Sequence, residues 1–192
     1  MAITAAETAR ELLYIGELRG VRDITNLKLQ KLLYFTNLVH ISILDTPLFS
    51  DNVSAWKLGP VVGTVYYDYK VFKNTQITGR SEKTNNKILE QSVALVMDLF
   101  GWKPASDLVD ITHLDSVYEA AIRKENRIMK HSKPEAMGVI STQIKGIFDR
   151  AKYMSLAGRL NSRLAIKDRP YIDDYAGVPP QERRKIWGVA DE

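Results

Sequence analysis

The chain has 192 residues, of which 45% are hydrophobic and 26% are charged, and this composition supports one packed core and excludes a chain disordered throughout. It has no cysteine, which excludes disulfides, thiolate metal sites and cysteine nucleophiles. The net charge of +4, from 27 basic and 23 acidic residues with interleaved signs, predicts weak or no binding to nucleic acid.

Two helices are predicted at the start of the chain from their capping residues. Thr4 followed by Glu7 has the spacing of a capping box, so a first helix is expected over residues 5–19. Thr25 can cap a second helix over residues 26–44. This second helix is apolar on nearly all sides after its first turns, which predicts a place in the middle of a bundle.

An extended segment and a third helix are predicted next. Residues 53–58, VSAWKL, are β-branched and aromatic. Pro60 follows Gly59 and suits the first position of a helix, where proline has no N–H to lose. One apolar stripe on this helix is expected to be core, and it consists of Val62, Val65, Tyr66, Tyr69 and Phe72. Tyr67 and Val61 lie off the stripe and are predicted to be exposed.

The second half of the domain begins after a polar, turn-rich loop. Asn85 or Asn86 can cap a helix over residues 87–100. Two short helices are expected after it, and they are predicted to meet at Thr112 and His113.

The C-terminal part of the pattern completes the predicted fold. Residues 137–140, MGVI, are interpreted as a brief strand that could join residues 53–58, and Ser141 can cap a further helix. Residues 1–150 are predicted to form one domain, and residues 151–192 a helical extension and arm. The fold class is therefore mainly α, a single helical domain of six to eight helices with at most a tiny two-strand element.

Motifs for catalysis and ligand binding are missing from the sequence. There is no G-x-x-x-x-G-K-[ST], G-x-G-x-x-G, H-E-x-x-H or G-x-S-x-G. The histidines His40, His113 and His131 lie far apart and lack the spacing of metal ligands. His113, beside Thr112 and Asp115, could act as an acid or base, but a structural hydrogen bond at a helix end is favoured. The chain is predicted not to be an enzyme and to bind no cofactor or metal.

Local charge and hydropathy bear on partners and location. Basic residues cluster at 123–133, RKENRIMKHSK, and at 183–185, and both clusters are interpreted as solvated surface. The alternative is that 123–133 contacts phosphates, as a DNA-binding regulator would. Acidic residues near the N-terminus and the lack of an apolar run of about 20 residues predict a cytoplasmic protein without a membrane partner.

Two sequence blocks carry a family resemblance. The first reads KLQKLLYF at residues 28–35 and continues with PLF at 47–49. The second reads AWKLGPV at residues 55–61 and precedes a helix with Tyr66. With the Leu-x-x-x-Thr-His pattern at 108–113, these blocks resemble the Panacea domain, a SocA-like antitoxin domain formerly known as a phage-associated protein family.

The resemblance covers about residues 10–150, and Ile140, Ile144 and Phe148 fit its closing pattern. It departs after His113, where relatives usually carry Glu and then Pro-Trp and this chain reads LDSVY. The resemblance implies a cytoplasmic, mainly helical antitoxin that binds and blocks a protein toxin encoded by an adjacent gene. One branch of the family instead implies an adaptor that delivers its toxin to a Clp-type protease. A phage or prophage DNA-binding regulator is a further alternative.

A partner-binding corner is predicted from the two blocks. Lys28, Gln30 and Lys31 are expected to form a small exposed polar patch at the start of the second helix. The turn at 59–60 is expected to bring Trp56 to the same side, giving an aromatic anchor with a charged rim. The predicted partner-binding residues are Lys28, Gln30, Lys31, Tyr34, Trp56, Lys57, Gly59, Pro60, Val61 and Tyr67. The alternative is that Trp56 only fills the core and Lys28 is an ordinary surface charge.

Overall fold

The computed structural model describes residues 3–144 of the chain. Within this range there are seven α-helices and one antiparallel sheet of three short strands, so the fold is mainly α, as predicted. The helices are α1 (Ala5–Leu18), α2 (Asn26–Leu44), α3 (Gly63–Tyr69), α4 (Lys87–Phe100), α5 (Ala105–His113), α6 (Ser116–Ile122) and α7 (Lys133–Ile144), with a 3₁₀ turn at Lys70–Phe72. The strands are β1 (Val53–Trp56), β2 (Gly59–Val62) and β3 (Ile128–Met129), in the spatial order β2-β1-β3.

Helix α2 is the centre of the fold. Every residue from 28 to 42 is buried, which confirms the prediction of a central helix. The helix packs against α1, α4, α5, α7 and strand β2. One such contact is the stacking of Phe35 on Phe100 of α4, with ring centroids 4.3 Å apart. A helix covered on all sides is expected to be largely apolar, and α2 after Lys31 is largely apolar, with four buried polar residues at Thr36, Asn37, His40 and Ser42.

The predicted caps of three helices are confirmed. Thr4 and Glu7 form a complete capping box at α1. Thr25 accepts a hydrogen bond from the Lys28 N–H at the start of α2, at 3.3 Å. Asn86, one of the two predicted candidates, caps α4 through its side-chain oxygen. These contacts satisfy N–H groups that have no partner within the helix itself.

The prediction that a helix starts at Pro60 is wrong, because Pro60 lies in β2 and α3 begins at Gly63. Gly59 has φ of +94° and turns the chain back on β1, which makes a hairpin. Strand β2 is at the sheet edge, where a residue without an N–H is tolerated. The predicted core stripe is buried at three positions and half-buried at two, namely Val62, Val65 and Tyr69, then Tyr66 and Phe72.

The prediction of a strand at 137–140 is also wrong, because these residues belong to α7. Ala136 and Ile140 are buried and lie four residues apart, the spacing of one helix face. Strand β3 takes the place beside β1 instead. Ser141 lies inside α7 and does not cap it, while the predicted arm at 151–192 lies outside the described residues.

None of the helices within residues 3–144 has both the length and the apolar character needed to cross a bilayer.

Candidate protein-binding surface

The β1–β2 hairpin is the structural element at the centre of the predicted corner. Strand β1 pairs antiparallel with β2, with Trp56 opposite Gly59 and Ala55 opposite Pro60. The Ala55 N–H donates to the Arg127 carbonyl on the other side, at 2.8 Å. Main-chain groups alternate in direction along an antiparallel pair, so those of Pro60 and Val62 face away from β1.

Polar side chains of α2 pair with these outward-facing groups of β2. Lys31 Nζ donates to the Pro60 carbonyl at 3.0 Å. The Gln30 side-chain oxygen accepts the Val62 N–H at 2.9 Å. We call this outer side of β2 the closed edge, because helix side chains take the place of a neighbouring strand there.

Two more residues at the start of α2 extend this polar contact. Asn26 donates from its side chain to the Tyr66 carbonyl in α3, at 3.1 Å. Lys28 pairs with the exposed Asp23 at 2.6 Å while its own side chain is fully buried. The first two turns of α2 are therefore hydrogen-bonded to strand β2 of the hairpin and to helix α3.

The predicted exposed polar patch is therefore wrong. Lys28, Gln30 and Lys31 are all buried, and so is Tyr34 on the same helix. The prediction that Val61 is exposed is wrong as well, because Val61 lies in β2 and is 5% exposed. Helical spacing placed the lysines on one face correctly, but both side chains are buried, and Lys31 contacts the hairpin.

Burial has an electrostatic consequence at Lys31. The removal of its ammonium group from water lowers the pKa of Lys31 to about 7, from an ordinary value of 10.5. Gly59 lies against the same group, since a Cβ at position 59 would be 2.7 Å from Lys31 Nζ and 2.5 Å from Thr112 Oγ1. A glycine is therefore needed both for its positive φ and for this close approach.

Some of the predicted corner does reach the surface. Tyr67 is 59% exposed and Leu58, at the hairpin turn, is 54% exposed. Trp56 is half-buried and packs edge-on against Tyr66, with ring centroids 4.9 Å apart, and against Tyr67 at 6.5 Å. We define Trp56, Leu58, Tyr66 and Tyr67 as the exposed aromatic patch. Exposed Lys57 adjoins it in the turn, and Lys70 lies over the Tyr67 ring at 5.2 Å.

A buried polar triad was missed by the sequence analysis. The Tyr34 hydroxyl makes a short hydrogen bond to Asp115 Oδ2, and His131 Nε2 lies 2.9 Å from the same oxygen. The other oxygen of Asp115 accepts the Val117 N–H at 2.9 Å and so caps α6. The triad joins α2, the start of α6 and the segment after β3. Only the capping position of Asp115 was a local signal, because its partners lie far away in sequence.

The environment of the triad favours a neutral Tyr34 and an ionised Asp115. Burial raises the pKa of the Tyr34 phenol, and the nearby Asp115 carboxylate adds to the rise. Burial opposes ionisation of Asp115 as well, but hydrogen bonds from His131 and Tyr34 outweigh it and lower the pKa of Asp115. Tyr34 and His131 also line a cavity of about 350 Å³. The triad thus contains an ionised carboxylate held by two donors, which is an arrangement suited to fixing three chain segments.

His113, the predicted candidate for acid or base chemistry, lies elsewhere. It is exposed, and its ring stacks on Tyr118 with centroids 5.0 Å apart. The Tyr118 hydroxyl donates to the Trp56 carbonyl at 2.9 Å and so joins α6 to β1 at a residue of the exposed aromatic patch. Across residues 3–144, no group of three or more acidic or histidine side chains is arranged to hold a metal ion.

Comparison with known proteins gives a match to a family model over part of the chain. Residues 29–117, from the first turn of α2 to the first turn of α6, match the family model described as antitoxin SocA-like, Panacea domain. The match is narrower than the expected 10–150 and spans a little under half of the chain. No curated protein and no solved structure matches the chain. The matched range contains Gln30, Lys31, Tyr34, Gly59 and Asp115, so it includes both the closed edge and two members of the triad. Residues 29–117 are therefore similar to the Panacea domain of SocA-like antitoxins.

Proposed function

We propose that the chain is the antitoxin of a type II toxin–antitoxin system and that it neutralises, by direct contact, a toxin encoded by an adjacent gene. The observation that carries this proposal is the match of residues 29–117 to an antitoxin family. Neutralisation by contact needs no catalysis, and we propose that the chain is not an enzyme. A toxin with an intracellular target would be met in the cytoplasm, which is the location we propose.

The exposed aromatic patch is the surface we assign to the toxin. Tryptophan and tyrosine are enriched among residues that dominate binding energy at protein interfaces. Trp56 and Tyr67 offer such side chains. The main chain beside them is held by hydrogen bonds from Tyr118 to the Trp56 carbonyl and from Asn26 to the Tyr66 carbonyl. The adjacent Lys57 and Lys70 would favour an acidic toxin surface, mainly by speeding association.

Expression of the neighbouring open reading frame tests this function. The neighbour expressed alone should arrest growth, and co-expression of this chain should restore it. A neighbour that is harmless alone would contradict the proposal. The same assay in a host without the Clp-type protease separates blocking from delivery, because an adaptor would lose its effect there.

Variants of the patch test its role. Tyr67→Ala and Trp56→Ala should each weaken toxin binding by about 2 kcal/mol or more, measured by titration calorimetry beside thermal melts. Leu18→Ala is the matched control, since Leu18 is 66% exposed on α1 and outside the patch. Wild-type affinity in folded Tyr67→Ala and Trp56→Ala proteins would place the toxin on another surface.

A further inference from the structure

The outer side of strand β3 differs from the closed edge. Among residues 3–144 the sheet has the order β2-β1-β3, so β3 is its last strand there. The Arg127 carbonyl and Met129 face β1, so the main-chain groups of Ile128 face outward, and Lys130 follows the strand at the next outward position of the alternation. The Ile128 N–H has a long contact of 3.5 Å to the Asn126 side chain, at an exposed position. We call this side the open edge, since a further strand can add hydrogen bonds there.

A groove runs beside the open edge. Its volume is about 440 Å³, and it lies between β3 and α6. Apolar side chains of both elements line it, including Val117, Ala121 and Ile128, while Lys124 and Lys130 stand at its polar side. A strand edge next to a helix groove can bind an extended peptide, with main-chain pairing for affinity and alternate side chains in the groove for specificity.

The charge around the groove favours one kind of segment. Residues 123–133 contain five basic residues and one acidic residue. Four of the basic side chains, Arg123, Lys124, Arg127 and Lys130, are exposed. Glu135 also lines the groove, but its carboxylate accepts hydrogen bonds from the Ser132 N–H and hydroxyl at 2.8 and 2.6 Å. A second copy of this chain would bring the same basic residues together, so charge disfavours edge-to-edge dimers.

We propose that the open edge binds an extended, acidic segment of another protein, which adds to β3 as a fourth strand and places alternate side chains in the groove. The interaction uses the outward main-chain groups of Ile128 and Lys130. It does not depend on the exposed aromatic patch or on the identity of the partner as a toxin. It assigns a role to the basic segment 123–133, which lies outside the part of the chain that matches the family model.

Hydrogen exchange and NMR on the isotope-labelled full chain test the proposal. The probe is a short acetylated peptide of alternating glutamate and valine. Saturation with this peptide should slow exchange of the Ile128 and Lys130 amides and shift the resonances of Val117 and Ala121. The same peptide with every amide N-methylated has no N–H on either edge, so it cannot pair as a strand and should not bind. A lysine–valine peptide should bind at least about tenfold more weakly, a difference of about 1.4 kcal/mol.

Two variants separate main-chain pairing from charge. Lys130→Pro removes the outward N–H and should weaken peptide binding at least about tenfold. Lys130→Ala keeps the N–H and loses only the charge, so it should weaken binding about threefold. Thermal melts show whether each variant folds. If Lys130→Pro does not fold, the N-methylated peptide tests main-chain pairing in its place.

Several results would overturn the proposal. They are equal weakening by the two variants, binding of the N-methylated peptide, or unchanged exchange at Ile128 and Lys130. Slow exchange of both amides in the free chain would show that this edge is already covered by the chain itself or by a second copy, and sedimentation would distinguish the two. Displacement of the peptide by a short DNA duplex, with binding that falls steeply with salt, would favour a phosphate-binding surface instead.

Discussion

At the outer edges of both β2 and β3, main-chain groups point away from the central strand β1. The two edges differ in whether these groups have hydrogen-bond partners among the described residues. At the closed edge, Gln30 and Lys31 of α2 pair with the outward groups of β2. At the open edge, the Ile128 N–H meets only a long, exposed contact to Asn126 among the described residues. The closed edge lies within residues 29–117, whereas the open edge lies beyond them.

This difference changes the interpretation of the family signature. The KLQK block at residues 28–31 and the GPV block at residues 59–61 are in contact at the closed edge. The first block supplies the polar side chains, and the second forms the strand whose outward main-chain groups they pair with. Buried polar groups must be paired, so these side chains stabilise the hairpin and are not available to a partner. Partner contacts are then expected where side chains or main-chain groups remain exposed, at the aromatic patch and the open edge.

The largest effect is expected from a substitution at the turn of the closed edge. Gly59→Ala should destabilise the protein by about 2–5 kcal/mol, because alanine is strained at φ of +94° and its Cβ would collide with Thr112 and Lys31. Gly79→Ala is the control, since Gly79 has φ of +65° but open space around it, and it should cost about 1–2 kcal/mol. Urea unfolding measures both. Equal losses would mean that the close approach at Gly59 contributes nothing.

The next effect concerns two hydrogen bonds that attach α6 and its capping residue to the rest of the fold. Tyr34→Phe should cost about 1.5–3 kcal/mol, because it removes a buried hydrogen bond to an ionised carboxylate. Tyr118→Phe should cost about 0.5–1.5 kcal/mol, since the Tyr118 hydroxyl donates to the neutral Trp56 carbonyl. Thermal unfolding of both variants tests the ranking, and a reversed order would argue against an ionised Asp115.

A matched pair of substitutions compares the two edges directly. Gln30→Met leaves the buried Val62 N–H without its acceptor and should cost about 1–3 kcal/mol. Asn126→Ala removes the side-chain contact of the Ile128 N–H, which water can replace, and should change stability by less than about 0.5 kcal/mol. Denaturant unfolding of the two variants is the measurement. A large loss for Asn126→Ala would show that the edge of β3 is not open.

A further effect is a pH dependence of stability from Lys31. Its pKa is about 7 when folded and 10.5 as the ordinary value, so the unfolded chain binds more protons between these two pH values. Stability should therefore rise with pH in this window, by at most about 1.4 kcal/mol per pH unit, and the full cost of burial is present below it. Unfolding of Lys31→Met should lack this rise, while Lys57→Met, at an exposed lysine of the same hairpin, should keep it. The same slope in all three proteins would contradict the argument.

Local chemistry in the sequence determined most of the helices. Thr4, Thr25 and Asn86 cap helices because their side chains reach N–H groups two or three residues away, so the signal lies within the sequence. The all-round apolar character of α2 likewise determined its central position. The start of α3 was predicted wrongly because Pro60 fits both the first turn of a helix and an edge strand. Only pairing with β1 decides between these two.

Tertiary structure alone decided which polar residues are buried and what they contact. Lys31 and Pro60 are 29 residues apart in sequence, and Tyr34 and Asp115 are 81 apart. The residues around a helical lysine follow the same spacing whether the lysine faces water or the edge of a strand. The sequence therefore predicted an exposed patch at Lys28 and Lys31, which are buried in the structure. The exposure of Tyr67 was predicted correctly, because it lies opposite the apolar stripe of its own helix and that depends on helical spacing alone.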